Sequence, residues 1–317
     1  MKHTEHIAKP KDLVTSVDEI KAGFIAIALE KNRRASPYVD EARALQHKID
    51  KISSAHMLLE LPAIRKGLIA AAGISDKAAI HLGEEGCLDA IKEFIDKFLL
   101  PSGAKFKDEL IFRFLLTKGD ALGGKMRNIV GALAQRKLCR AIVSSLRLAD
   151  MDFVIRLDTD KNWIAPAAIQ DETETDKAKG ISWKTPGNDP RTLYFNMIVP
   201  AVGNNIDIIL LRTPHATDIK QAVGQSGNYL ALGELKGGID PAGADEHWKT
   251  AKTALDRIKT AFKRKKPAPQ LFFVGAAIES KMAVEIFDNL QSGYINNAAN
   301  LTNPRHITAL ADWLINI

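Results

Sequence analysis

The sequence predicts a mixed α/β (α+β) fold: a sheet covered by helices, preceded by a separate helical subdomain. Three observations carry this. Residues 193–278 read as three apolar runs, an amphipathic helix and a fourth apolar run. The first hundred residues show helical spacing and few strand signals. A length of 317 residues suits about two domains and buries a core without staples. The expected division is 1–109, mainly helical, and 110–317, containing the sheet.

The helical part reads in order as follows. AGFIAIALEKN at 22–32 is one helix, and Pro37 is placed to open another through 40–60. LPAIRKGLIAAAGI continues the pattern, with Gly73 as its stop. LDAIKEFIDKFLL at 88–100 is amphipathic and ends at Pro101. Residues 105–117 give a further helix, which the glycines of GDALGG at 119–124 are expected to break. A longer helix then runs from about 125 to 149, with Met126, Ile129, Val130, Leu133, Ile142 and Leu146 at helical spacing.

Residues 150–190 are acidic and turn-rich and are expected as an extended loop. LYFNMIVP at 193–200 and IDIILL at 206–211 are separated by a turn that suits a hairpin. YLALGELK at 229–236 is the third strand. Residues 244–262 form a helix with the stripe Trp248, Ala251, Leu255, Ile258 and Phe262. LFFVGAAI at 271–278 reads as a buried central strand. ALADWLINI closes the chain as a packed helix.

Composition narrows the function classes. Hydrophobic residues are 46% and charged residues 26%, which excludes wholesale disorder. The two cysteines, Cys87 and Cys139, make neither a disulfide framework nor a four-thiolate zinc site. They are expected as buried thiols in a reducing compartment. The N-terminus lacks an apolar signal core, and no apolar run approaches the roughly 18 residues of a membrane span. A soluble cytoplasmic protein with no membrane partner is expected.

The net charge of +6 is unevenly spread. Residues 1–110 are neutral. Segments 111–147 and 249–266 each hold eight bases and one acid, while 150–176 holds eight acids and two bases. Two separate basic elements suggest a groove for a polyanion; two solvated helix faces are the plain alternative. Lys249, Lys252, Lys259 and Lys263 flank the apolar stripe of 244–262, and Lys252 is a candidate phosphate contact. The run KRKK at 263–266 is read as a solvated helix end.

The chemistry-bearing set is Asp207, Glu234 and Lys236. An acid inside IDIILL is costly unless it lies at an edge or has a partner. Glu234 and Lys236 alternate onto one face of a strand end. If the two strands are neighbours, Asp207 and Glu234 converge on one hard divalent cation such as Mg²⁺, with the backbone carbonyl of Leu235 and water completing its shell. Lys236 then orients a water and stabilises charge developing on a phosphate. A structural ion pair between Glu234 and Lys236 is the competing reading. The order of elements and the flanking basic segments favour a PD-(D/E)xK nuclease core.

Lys125, Arg127 and Asn128 follow the glycine-rich turn. At a helix start, amides and a guanidinium make a phosphate clamp. Gly119, Gly124 and Lys125 also match the start of a P-loop, but Met126 replaces the required hydroxyl and no strand precedes it. No nucleotide cofactor is expected.

Longer blocks resemble the AvaI/BsoBI type II restriction endonucleases: KAGFIAIALEKN at 21–32, GISDKA at 73–78, GDALGGKMRNIVGALAQRKL at 119–138, GELKGGIDPAGADEHWKTA at 233–251, and LQSG with NAANLT at 290–302. The similarity runs from about residue 20 to the C-terminus. It implies Mg²⁺-dependent cleavage of double-stranded DNA at the palindrome CYCGRG, four-base 5′ overhangs, a homodimer, and a helical domain that clamps DNA beside a catalytic domain. Asp207, Glu234 and Lys236 match the catalytic set, although Asn205-Ile206 stands where the motif has a proline before the acid. His247, in ADEHW, becomes a rival to Lys236 as general base; a packed histidine is its alternative. Lys77 and Asp240 become candidate base-reading residues, against a solvated lysine and a capping aspartate. A non-catalytic DNA-binding protein on a nuclease fold, or a repair or junction nuclease, remains as the other function class.

Overall fold

The computed structural model describes residues 3–157, 162–168, 177–265 and 267–317. The chain forms two compact units, Ile25–Arg127 and the combination of Met1–Phe24 with Asn128–Ile317. This differs from the division expected at 109/110. Both boundaries fall inside uninterrupted helices, so no linker composition marks them.

The first unit is helical. Helix α1, Val17–Ile49, contains Pro37 in its interior, where a new helix was expected to open. The turn before the proline is held by Glu30, whose carboxylate accepts hydrogen bonds from Arg33 and Arg34. These i,i+3 and i,i+4 pairs support the helix where the proline removes a backbone donor. Helix α2, Arg65–Ala71, stops two residues before the left-handed Gly73. Helix α3, Asp76–Phe94, is capped by Ser75, which accepts from the Ala78 amide, and is interrupted at the left-handed Gly83. A π turn at Ile95–Leu99 and a 3-10 turn from Leu100 carry the chain past Pro101. Helix α4, Phe106–Leu148, is continuous through GDALGG, where a break was expected. Each exposed helical glycine costs only about 1 kcal/mol, and buried Leu122 anchors that stretch. The core of this unit gathers Leu45 and Ile49 from α1, Leu68 from α2, Ile91 and Phe94 from α3, and Leu110 and Phe114 from α4.

The second unit holds an eight-stranded sheet. Its strands are β1, Phe153–Leu157; β2, Trp163–Ile164; β3, Ala178–Lys184; β4, Pro190–Val199; and β5, Asn204–Leu211. After helix α5, Ile219–Gly224, come β6, Tyr229–Lys236, helix α6, Ala244–Phe262, and β7, Gln270–Gly275. Helix α7, Ser280–Gln291, β8, Asn297–Asn300, and helix α8, Pro304–Ile315, complete it. The sheet order is β2-β1-β3-β4-β5-β6-β7-β8, antiparallel as far as β6 and parallel from β6 to β8.

The predicted hairpin is β4–β5, and the predicted helix at 244–262 is α6. The stretch expected as a loop instead contributes β1, β2 and β3. Residues 158–161 and 169–176 of it lie outside the described residues, as does Lys266 of KRKK. The acidic flanks mask the alternation of FVIRL, in which Phe153, Ile155 and Leu157 are buried.

Adjacent residues of β7 serve opposite faces of the sheet. Phe273 meets Trp248 of α6 edge to face, with centroids 5.0 Å apart, and Phe272 meets Trp313 of α8 at 5.5 Å. The stripe Trp248, Ala251, Leu255, Ile258 and Phe262 seals the first face against Tyr229, Leu232 and Leu271. Gly233 on β6 faces the Phe272 ring, which leaves no space for a Cβ.

The N-terminal segment is fastened to the far end of the chain. The Thr15 hydroxyl donates to the Ala276 carbonyl at 2.8 Å and accepts from the Ile278 amide at 2.9 Å and from Asn300 Nδ2 at 3.1 Å. One donor and two lone pairs are thereby all used. Nearby, buried His306 accepts from the Asn300 amide through Nδ1 and meets His6 edge to face.

Burial, and secondarily His6, lower the His306 pKa to about 4. An unfolded histidine titrates near 6.5. Between these values the unfolded chain binds the extra proton, so stability falls as pH drops from about 6.5 to about 4. Calorimetric melting temperatures should fall through this window, and His306→Asn should flatten the slope. Equal slopes would remove His306 as the cause.

Candidate active site

The site lies where β5 and β6 pair in the middle of the sheet. The antiparallel register joins Ile208 to Gly233, which brings Asp207 beside Glu234. The Leu235 amide donates to Asp207 Oδ2 at 2.8 Å, so the acid is fixed by the backbone of its neighbour. Lys236 Nζ donates to Glu234 Oε2 at 2.8 Å and to Asp207 Oδ2 at 3.3 Å. The sequence-predicted convergence of the three residues is present. So is the Glu234–Lys236 ion pair of the competing reading, and it does not exclude the other.

The electrostatics follow from crowding. Glu234 is only 4% exposed, and β7 covers its strand on the other side through the pairing Glu234–Phe273. Burial, then the Asp207 charge, push the Glu234 pKa up to about 7. Burial pulls the Lys236 pKa down, but Glu234 and Asp207 together outweigh it and leave the ammonium held above its usual range. Two carboxylates facing one ammonium leave the cluster short of positive charge. Among the described residues no group of three or more His, Cys, Asp or Glu converges as a metal cage. Asp207 and Glu234 are therefore a two-carboxylate set of hard oxygen donors. That suits an ion such as Mg²⁺, which keeps waters or substrate phosphate oxygens in its remaining positions.

The loop after Lys236 is closely packed. The Lys236 carbonyl accepts from the Ala276 amide at 2.9 Å. A Cβ on Gly237 would stand 2.6 Å from Ala134 Cβ and 2.8 Å from the Val130 carbonyl oxygen, so α4 lies directly against the loop. A Cβ on Gly238 would overlap the His247 ring. His247 thus sits over the loop, near the start of α6. Its Nδ1 is buried and has no hydrogen-bond partner. No hydrogen bond or ion pair among the described residues joins it to the Asp207–Glu234–Lys236 cluster. Asp240 caps the 3-10 turn before α6, accepting from the Ala242 amide at 3.0 Å.

A family model described as restriction endonuclease BsobI matches residues 3–317. The chain belongs to the BsobI restriction endonuclease family. It is 47% identical over 318 residues to the type II restriction enzyme AvaI of Nostoc sp. (strain PCC 7120 / SAG 25.82 / UTEX 2576), with all of both chains covered. The AvaI of Anabaena variabilis gives the same figures. The type II restriction enzyme BsoBI of Geobacillus stearothermophilus is 49% identical over 316 residues, covering 98% of this chain and 97% of its own.

The remaining candidate residues of this family member are dispersed. Lys77 is exposed in the first turn of α3. Lys125, Arg127 and Asn128 are exposed but lie inside α4 rather than at a helix start. Their amides are therefore spent on the helix, and the expected amide clamp does not exist; only the side chains remain for a phosphate. Lys252 is half-buried on α6. The GxxxxGK match is helical throughout and forms no phosphate-cradling loop. Sequence reasoning missed the grip on Gly237 and Gly238. The doubled glycine directly after Lys236 was its only trace.

Proposed function

We propose that this chain is a type II restriction endonuclease that hydrolyses phosphodiester bonds in double-stranded DNA at CYCGRG and leaves four-base 5′ overhangs. We also read its second unit as a PD-(D/E)xK core. The observation that carries the reading is the meeting of Asp207, Glu234 and Lys236 within hydrogen-bond distance at the paired ends of β5 and β6. Full-length membership in a restriction endonuclease family supports it.

Asp207, Glu234 and the Leu235 carbonyl would hold Mg²⁺. When bound, that ion supplies Lewis acidity and positive charge at the scissile phosphate. Lys236 orients the attacking water and stabilises charge developing on the phosphate. Two side chains contend for the water's proton: His247 through its unpartnered ring nitrogen, and Lys236, which must first lose the proton that Glu234 and Asp207 hold on it. Asp240 accepts from a cytosine amino group and Lys77 donates to a purine edge. Lys125, Arg127, Asn128 and Lys252 hold phosphates.

A palindrome cut on both strands suits a two-fold dimer. Exposed apolar pairs at helical spacing supply surface for it: Ile25 and Leu29 on α1, and Phe112 and Leu116 on α4. Light scattering should give twice the 34.7 kDa chain mass, and a monomer would oppose it. No helix among the described residues is long and apolar enough to cross a membrane. We place the activity in the cytoplasm.

Incubation with a sequenced plasmid, with Mg²⁺ or with EDTA, tests the function. Discrete fragments ending at CYCGRG, formed only with Mg²⁺, are expected. Tight binding without cutting would leave a non-catalytic DNA-binding protein, and cutting confined to branched DNA a junction nuclease. Lys252→Ala should weaken binding similarly across sequences and reduce the slope of log affinity against log salt by about 1. A shift in the cut position instead would remove Lys252 from the phosphate contacts.

A further inference from the structure

Three residues, Gly237, Gly238 and Ile239, separate Lys236 from Asp240. Each is gripped by a different element. Gly237 lies against Val130 and Ala134 of α4. Gly238 lies beneath the His247 ring of α6. Ile239 is 4% exposed and lies over Gly23 of α1, where a Cβ would overlap its Cγ1 and stand 3.2 Å from its Cβ. Both ends of the segment are also tied, at the Lys236 carbonyl by Ala276 and at the Asp240 side chain by the Ala242 amide.

A loop of this length would ordinarily flex. Here an added methyl at Gly237 or Gly238 would strike Cβ, backbone or ring atoms that have little freedom to yield, and at Gly23 it would strike the Ile239 Cγ1. Trans geometry keeps the Lys236 and Asp240 Cα atoms within about 14 Å. Packing selects one arrangement inside that limit. The residue assigned to chemistry and the one assigned to base reading are therefore two ends of one clamped segment.

We propose that Gly23, on α1, is a positioning residue for cleavage. By leaving room for Ile239 it fixes the Gly237–Ile239 segment, and with it the spacing of Lys236 from Asp240, so that base reading and bond cleavage move together. This rests on the roles proposed above for those two residues. Gly23 touches neither substrate nor reacting atoms. It acts through Ile239.

The test is a double-mutant cycle on the full-length protein: wild type, Gly23→Ala, Ile239→Ala and the pair. Single-turnover cleavage at saturating protein, duplex affinity and melting temperature are measured. The duplexes are one containing CTCGAG and one with a single base pair of it altered. Gly23→Ala should slow cleavage of CTCGAG by about 10- to 100-fold, with affinity nearly unchanged. Its preference for CTCGAG over the altered duplex should narrow. Ile239→Ala alone, which loosens the segment, should slow cleavage less than Gly23→Ala does, and it should restore part of the rate in the Gly23→Ala background, because removing Cγ1 relieves the overlap. A role confined to folding would lower the melting temperature without changing the preference.

Wild-type rate and preference in Gly23→Ala would overturn the proposal, as would failure of Ile239→Ala to restore the rate. If Gly23→Ala does not fold, Ile239→Val, which only loosens the contact, decides. A narrowed preference supports the proposal and an unchanged one overturns it. A wild type that does not cut CTCGAG would instead overturn the proposed function.

Discussion

Lys236→Ala should reduce cleavage by at least about a thousandfold while duplex binding persists. The ammonium is the one positive charge between two carboxylates, of which Asp207 is also held by the Leu235 amide. Its removal leaves Asp207 and Glu234 facing each other, and no other cation among the described residues pairs with either. Asp207→Ala should be as damaging for a different reason. It removes half of the two-carboxylate set and strips the Leu235 amide of its acceptor. For both variants, gel assays of cutting and filter or fluorescence assays of binding are read on the same duplex. Either variant cutting at the wild-type rate would remove that residue from the chemistry. Loss of binding in step with cutting would point to a DNA-contact role instead.

Trp248→Ala should produce the largest loss of stability. The indole is almost fully buried between α6 and the sheet, edge to face with Phe273. Truncating such a side chain costs about 3–5 kcal/mol. The loss also breaks the 2.7 Å bond from the indole N–H to Glu285 of α7, leaving that carboxylate without its partner. Denaturant titration should show a lower midpoint with little change in slope. The neighbouring residue is His247, so cutting should decline as well. An unfolding free energy within about 0.5 kcal/mol of wild type would mean that α6 is held by contacts other than its tryptophan.

Much of the unit that holds the sheet was legible because its strands and α6 carry strong, opposite periodicities. IDIILL and YLALGELK are apolar enough to be strands, and each bears acid at a place where burial demands a partner. That demand made Asp207 and Glu234 readable before their distance was known. The helix breaks were misread for one reason. Pro37 and the glycines at 119–124 are weak helix formers locally, but α1 and α4 are long enough to override them. The same override hid the unit boundaries and removed the expected amide clamp at Arg127 and Asn128. Strands β1 to β3 were hidden by their acidic surroundings. The grip on Gly237 and Gly238 was not legible, because it is made by residues more than a hundred positions upstream and by His247, and no local pattern encodes such contacts.

The fastening of Thr15 to Ala276, Ile278 and Asn300 has a consequence for synthesis. On the ribosome the N-terminal segment emerges first, and the partners it needs are more than 260 residues behind it. At about 5–20 residues per second, the wait is on the order of tens of seconds. The helices of Ile25–Arg127 are complete long before then. The unit that holds the sheet is not, since Ala276 anchors both Thr15 and the Lys236 carbonyl. A nascent chain is thus kept from closing this fastening until nearly all of it has been made.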